Sequence, residues 1–316
     1  MTVEPELALV GDIGGTNARL ALADLKTRAV SNIERFPCRE FSSLEAVLRN
    51  YVAALPRIPG RGCLAVAAPL RGETVRMTNL NWTFTADSLR AASGIEDLFL
   101  INDFEAQARA LPHLAARDLH PLGGGQASPR MPKVVLGPGT GLGMAALVHG
   151  DEGWVPVATE GGHVGLAAQT DTEIAIFRRI ADRHGRVSAE RVIAGPGLEE
   201  VYRDLGEFRG YAGAAATIAD IFAHASAGTD PLACEVSDLF VEWLGRFAGD
   251  MALAYGAAGG VYIAGGIAPR ILGLLDTGAL RRSFCAKGRL SAFLEEIPLQ
   301  VVTAADAGLR GAALAL

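Results

Sequence analysis

The sequence predicts an α/β protein built from one unit used twice, giving two domains with a site in the cleft between them. Two observations carry that expectation. The first is a repeated glycine loop, Gly11-Asp12-Ile13-Gly14-Gly15-Thr16-Asn17 and Gly137-Pro138-Gly139-Thr140-Gly141-Leu142-Gly143, each set between short apolar runs. The second is the order of elements around each loop: strands, loop, strands, then helices, twice over. At 316 residues and 50% hydrophobic content the chain is long enough to bury a large core and to divide once.

The elements follow from local pattern. Leu7–Val10, Ala18–Ala23 and Val30–Phe36 are short strand-like runs parted by turn chemistry, an opening antiparallel meander. Ser43 to Leu55 carries Leu44, Val47, Leu48 and Tyr51 at helical spacing. Cys63–Ala68 and Leu98–Ile101 are continuous apolar runs suited to buried strands. Thr85 caps a short helix that Gly94 ends. The stretch Leu119 to Pro132, with three consecutive glycines, reads as loop, and a boundary falls just before it near Leu111-Pro112. The expected division is 1–111 plus 302–316 as a small domain and 112–301 as a large one. In the second part Val134–Leu136, Met144–Val148 and Trp154–Val157 read as strands. Thr170 and Glu173 form a capping box ahead of a helix with Ile174, Phe177, Ile180 and Ala181 on one face. Pro231 to about Tyr255 is a longer helix, and Leu299–Val302 with Ala307–Leu316 closes the chain as a strand and an apolar helix that needs cover. Met251 to Pro269 carries no charge, but five glycines interrupt it, so it reads as a helix end, a buried strand and a turn rather than a membrane span.

Composition narrows the function. A net charge of −6 argues against an electrostatic nucleic-acid binder. Four scattered cysteines without a Cys-x-x-Cys support neither a zinc ribbon nor a thioredoxin-type site. The acidic start lacks a signal peptide's basic end, so a cytoplasmic protein is expected.

The loops point to phosphate, because glycines let backbone N–H groups approach phosphate oxygens and a Thr hydroxyl adds a donor. No Gly-Lys dipeptide occurs, which excludes a Walker A loop. Both loops run into strand-like sequence rather than a helix, which disfavours a Rossmann dinucleotide site. What remains is the actin/hexokinase arrangement, in which two hairpin turns clamp ATP and the acid of the first loop, Asp12, holds Mg²⁺ through water. An ATP-dependent phosphotransferase is therefore expected. On the acceptor side, Asp103 follows the apolar run ending in Ile101-Asn102. It can cap the following helix, and at a strand's carboxyl end it can also take a proton from an attacking hydroxyl. Glu160-Gly161-Gly162-His163 and Glu190 add acceptors that suit a polyol.

At these residues the chain resembles the bacterial ATP-dependent glucokinases of the non-ROK type. The resemblance is carried by the first loop through Leu20, Met77-Thr78-Asn79, Ile101-Asn102-Asp103-Phe104, Gly139 to Gly143, Glu160 to Val164, Val187 to Val192, Gly195 to Leu198 and Gly259 to Ile267. It implies a duplicated actin/hexokinase-like (RNase H-like) fold, a small domain closed by the carboxyl-terminal segment, and a larger domain that carries homodimerisation. It implies Asp103 as general base, with Asn102, Asp103, Glu160, His163 and Glu190 as glucose ligands. ATP would be held by Gly11, Asp12, Ile13, Gly14, Gly15, Thr16 and Asn17, by Gly139, Thr140 and Gly141, and by Gly265 and Gly266 beside the adenosine. The cysteine-rich zinc motif of the ROK relatives is absent, so His163 looks like a sugar contact. Pro138 has no N–H and cannot be a phosphate donor. Two alternatives stay open: a kinase of another hexose such as fructose or mannose, and a non-catalytic sugar or nucleotide sensor on the same fold. No DNA-binding extension precedes the first strand at Leu7, which disfavours a repressor.

Overall fold

The computed structural model describes residues 6–77, 80–211, 213 and 215–316; residues 1–5 and the Thr78-Asn79 pair of the resemblance lie outside them. Backbone packing divides the chain into two units. One is Met1–Ala115 with Trp154–Ala158 and Ala304–Leu316, the other Ala116–Gly153 with Thr159–Thr303.

In chain order the first unit holds β1 (Leu7–Ile13), β2 (Asn17–Asp24), β3 (Val30–Pro37), α1 (Leu44–Ala53), β4 (Arg61–Val66), β5 (Thr74–Arg76), β6 (Thr83–Thr85), α2 (Ala86–Ser93), β7 (Asp97–Asn102) and α3 (Asp103–Ala110). Next come β8 (Leu119–Pro121), β9 (Lys133–Pro138), β10 (Leu142–Gly150), β11 (Gly153–Thr159), α4 (Asp171–His184), α5 (Ala189–Ile193), α6 (Gly195–Phe208), α7 (Ile218–Ala227) and α8 (Pro231–Tyr255). They are followed by β12 (Val261–Ile263), α9 (Leu272–Leu275), α10 (Ala279–Cys285), α11 (Ser291–Glu296) and β13 (Leu299–Val302), and the chain ends in the first unit with α12 (Ala307–Leu314).

The five-stranded sheet runs β3-β2-β1-β4-β7. Its first three strands are the antiparallel meander that short turns allow, while β4 and β7 lie parallel to β1 and β4 because longer connections carry them across. Strand alternation sets the faces. Leu9 and Ile13 join Leu44, Val47 and Leu48 of α1 on one side, and Val10 joins Ala106 of α3 with Leu309 and Ala312 of α12 on the other. The apolar final helix thus finds its cover within this unit. Asp12 has the parity of Val10 and faces α12.

The six-stranded sheet runs β11-β10-β9-β12-β13-β8, the same order with β8 added at the edge. Here β9 and β10 form the antiparallel hairpin, and β12 and β13 extend β9 in parallel. The core of this unit gathers around α8, whose Gly245 and Gly249 let α10 approach closely: a Cβ there would stand 2.4 Å from the carbonyl oxygens of Leu280 and Phe284. Beside it, Glu173 and Arg246 form a buried ion pair. The result is α/β with one topology used twice, as the loops predict.

Three local expectations change. Leu119–Pro121, read as loop, is strand β8, stabilised by antiparallel pairing with β13 that no local pattern announces. The capping box at Thr170 is half made. The Thr170 hydroxyl accepts from Glu173 N, but the Glu173 carboxylate turns to Gln169 N and Arg246. Ile174 is exposed and Ile176 is buried in its place, because α4 turns the face of Glu173, Ile176, Phe177 and Ile180 inward. Among the described residues no helix is long and apolar enough to cross a membrane. Met251–Pro269 contains the end of α8, a left-handed Gly256 cap, β12 and a turn.

Candidate active site

In the first unit the β1–β2 hairpin register is what places the acid. Asp12 pairs with Arg19 across the turn, and the guanidinium lies 3.6 Å from its carboxylate while also donating to Ala305 O. Burial pushes the Asp12 carboxyl above its ordinary value, and Arg19 pulls it back in part. Gly308, in the first turn of α12, makes room for this group: a Cβ would sit 2.8 Å from Asp12 Oδ2. The turn itself is tied by backbone, Gly14 N to Asn17 O at 3.0 Å and Cys38 N to Thr16 O at 2.9 Å, with Arg35 donating to the Asn17 side chain. Thr16 is exposed at its tip. Gly11 and Ile13 lie inside β1, not in the turn. Both are buried, and a Cβ on Gly11 would meet Leu64 at 2.5 Å, so packing explains that glycine. An oxygen-only acid beside exposed backbone donors fits a hard cation such as Mg²⁺ carried with a polyphosphate.

The same unit presents Asn102 and Asp103 at the carboxyl end of β7. The cap of α3 is Asn102, whose Oδ1 accepts from Phe104 N and Glu105 N, and Asp103 is the first helical residue. The capping role expected for Asp103 therefore belongs to its neighbour. Asn102 keeps its amide as a donor, and Asp103 is half-buried.

The second unit brings its candidates together. Glu190 stands in the first turn of α5, capped by Ser188. Its Oε2 accepts from Leu142 N at 3.0 Å, and its Oε1 lies 3.7 Å from His163 Nδ1. Gly162 packs on the same residue from the other side: a Cβ would come within 1.9 Å of Leu142 O. Gly195 N donates to Gly139 O, and Gly139 N to Gly141 O, closing the second glycine turn. Gly265, with φ of 84°, follows β12, and a Cβ there would stand 2.8 Å from Pro138 O. Thr140, Glu160, His163, Gly265 and Gly266 are exposed, and Gly139, Gly141 and Glu190 are half-buried. Gly266 has open space around it. So Glu190, His163, the 139–143 turn and Gly265 form one neighbourhood, with Glu160 opening the turn that carries His163.

Sequence reasoning missed Arg19, Gly308 and Gly162. Arg19 was legible in principle, since a hairpin whose turn is Gly14–Asn17 pairs it with Asp12. The two glycines were not, because their neighbours are distant in the chain.

Two sheets of one order, each opened by a hairpin with a glycine turn, define the actin-like ATPase fold, the class that includes hexokinases. The family model described as Glucokinase matches residues 9–316. A glucokinase of Marinobacter nauticus is 44% identical over 317 residues, covering 100% of this chain and 98% of that protein. The crystal structure of a glucokinase from an Antarctic psychrotroph is 36% identical with a TM-score of 0.85, over 98% of both chains. That of Balamuthia mandrillaris, solved in complex with glucose, is 21% identical with a TM-score of 0.85, covers 98% of this chain and 93% of its own, and shows the shared fold. The chain belongs to the glucokinase family and is an ATP-dependent hexose kinase.

Proposed function

We propose that the chain transfers the γ-phosphoryl group of ATP to the 6-hydroxyl of D-glucose, with Asp103 as the general base. The observation that carries the site assignment is the junction at Leu142. Acceptors suited to sugar hydroxyls, Glu190 and His163, are built directly onto a glycine turn suited to phosphate, so acceptor and donor are handled side by side. Glu160, His163, Glu190, Asn102 and Asp103 hold the sugar. Gly14, Gly15, Thr16 and Asn17 hold phosphate with Gly139, Thr140 and Gly141, while Gly265 and Gly266 flank the adenosine. Within the first turn Gly14 N is already bonded to Asn17 O, so the N–H groups of Gly15 and Thr16 are the donors to phosphate.

The chemistry is an in-line displacement. The 6-oxygen forms its bond to the γ-phosphorus as its proton passes to the Asp103 carboxylate, and the bond to the β-phosphate bridging oxygen breaks to release ADP. Asp12 is the residue that would hold Mg²⁺ carried with ATP, and the ion would supply charge neutralisation at the phosphates. Asn102 orients the sugar with its remaining amide donors, and water exclusion around the bound pair protects ATP from hydrolysis.

A coupled ADP-release assay across hexoses tests the assignment. Glucose should support the highest kcat/KM, and Asp103→Asn should lower kcat by about 10²–10⁴-fold, the scale of losing a general base, with glucose affinity less affected. Near-normal turnover in Asp103→Asn would remove that residue from the chemistry. Equal rates with fructose or mannose would reassign the substrate.

A further inference from the structure

We infer that Glu190 is a positioning residue for the phosphate turn as well as a sugar ligand, and that it does the two jobs with different oxygens. The inference rests on the preceding reading of the 139–143 turn as a phosphate binder.

The geometry separates the two oxygens. Oε2 accepts the Leu142 N–H at 3.0 Å, at the point where the turn re-enters β10. Gly141 has no side chain to intervene, and a Cβ there would lie 2.7 Å from that same oxygen. Oε1 is turned the other way, 3.7 Å from His163 Nδ1. The carboxylate cannot drift, since α5 is anchored at both ends. Ala189 N donates to Val164 O, and Gly195 N, just past the helix, donates to Gly139 O. Leu142 is thereby gripped on both backbone atoms, its N–H by Glu190 and its carbonyl by the close face of Gly162. A glycine turn without such a grip samples many backbone states, and a partly buried hydrogen bond to a carboxylate selects one.

The two jobs ask for different properties of the side chain. Holding Leu142 N needs an acceptor oxygen at the right reach, which a glutamine supplies. Accepting a sugar hydroxyl beside His163 needs the carboxylate. Reach should therefore govern nucleotide binding, and charge should govern sugar binding.

Three variants separate these: Glu190→Gln keeps reach without charge, Glu190→Asp keeps charge without reach, and Glu190→Ala keeps neither. The readouts are MgADP affinity by calorimetry in the absence of sugar, and the KM for glucose. MgADP should bind Glu190→Gln within about threefold of the parent and bind Glu190→Asp and Glu190→Ala about tenfold more weakly, the scale of one hydrogen bond to a charged group. The glucose KM should rise most in Glu190→Gln and Glu190→Ala, which lack the charge. If Glu190→Ala does not fold, the Gln and Asp pair still decides the matter, because a charge-only role reverses their order. Parent-like MgADP binding by Glu190→Asp, or weak binding by Glu190→Gln, overturns the inference. A glucose KM unchanged in all three, with MgADP order as stated, instead removes Glu190 from the sugar site and leaves the turn role standing.

Discussion

The two glycine turns look alike in sequence and are supported in opposite ways. The first carries its acid within its own hairpin: Asp12 precedes the turn, faces α12, and is matched by Arg19 on the returning strand. Its backbone is closed locally by Gly14 N to Asn17 O, and Cys38 N braces it at Thr16 O. The second has no acid of its own. It takes Glu190 from 48 residues downstream, leans on Gly162, and accepts a bond from Gly195. A self-contained turn carrying a partly desolvated carboxylate is suited to meeting a cation. A turn held from outside by Glu190, a residue proposed above as a sugar ligand, is suited to registering the sugar.

Substitutions that crowd each turn should break this contrast most sharply. Gly162→Ala sets a methyl 1.9 Å from a backbone oxygen, which no rotamer change can relieve. Unfolding stability should fall by about 3 kcal/mol, the upper end of overpacking effects, and activity should be lost with it. Gly308→Ala sets its methyl 2.8 Å from Asp12 Oδ2, a side-chain atom that can swing aside. That variant should fold with a loss below about 1.5 kcal/mol and show a raised requirement for Mg²⁺. Denaturant titration and a magnesium-dependence curve measure both, and equal stability losses would erase the distinction between the turns.

Asp12→Asn sharpens the comparison next. The folded-state pKa of Asp12 lies above its unfolded value, so the folded protein holds this proton more tightly. Its contribution to stability is present in acid and is lost as pH rises through the folded pKa. Above the unfolded pKa the unfolded chain releases this proton more readily than the folded one does, so at neutral pH the side chain costs the native state stability. Asp12→Asn should raise the unfolding midpoint at pH 7 in metal-free buffer and make no difference near pH 3. Turnover should fall on the order of 10²-fold, as when one electrostatic anchor is removed. A lower midpoint at pH 7 would show that Arg19 more than offsets burial.

The smallest effect is expected at the strut of the first turn. Cys38 lies 3.5 Å from Gly14 O, and burial pushes its thiol up to about 11. Thiolate is then scarce, on the order of one part in a thousand at pH 8. Alkylation of the native protein at that pH should leave activity unchanged over the time that unfolded chain is fully modified. Rapid inactivation traced to Cys38 would mean the turn opens readily.

Much of this was legible in the residues. Periodicity placed the meander, the long helix Pro231–Tyr255 and the closing strand and helix, because each buries a face that its own spacing defines. The absence of Gly-Lys and the strands after both loops selected the fold, since turn chemistry is local. What spacing could not supply was anything depending on contacts between distant segments. Strand β8 exists by pairing with β13, Glu173 left its cap for Arg246, and Gly11 is small because Leu64 packs on it. Asn102 rather than Asp103 became the helix cap once the backbone turned at β7. Glu190 reads in the chain as an acid in a helix's first turn, and only folding lays Leu142 against it. Local preference acts over three or four residues, whereas a hydrogen bond between positions 142 and 190 exists only after the 48-residue separation between them has been closed by folding within the second unit.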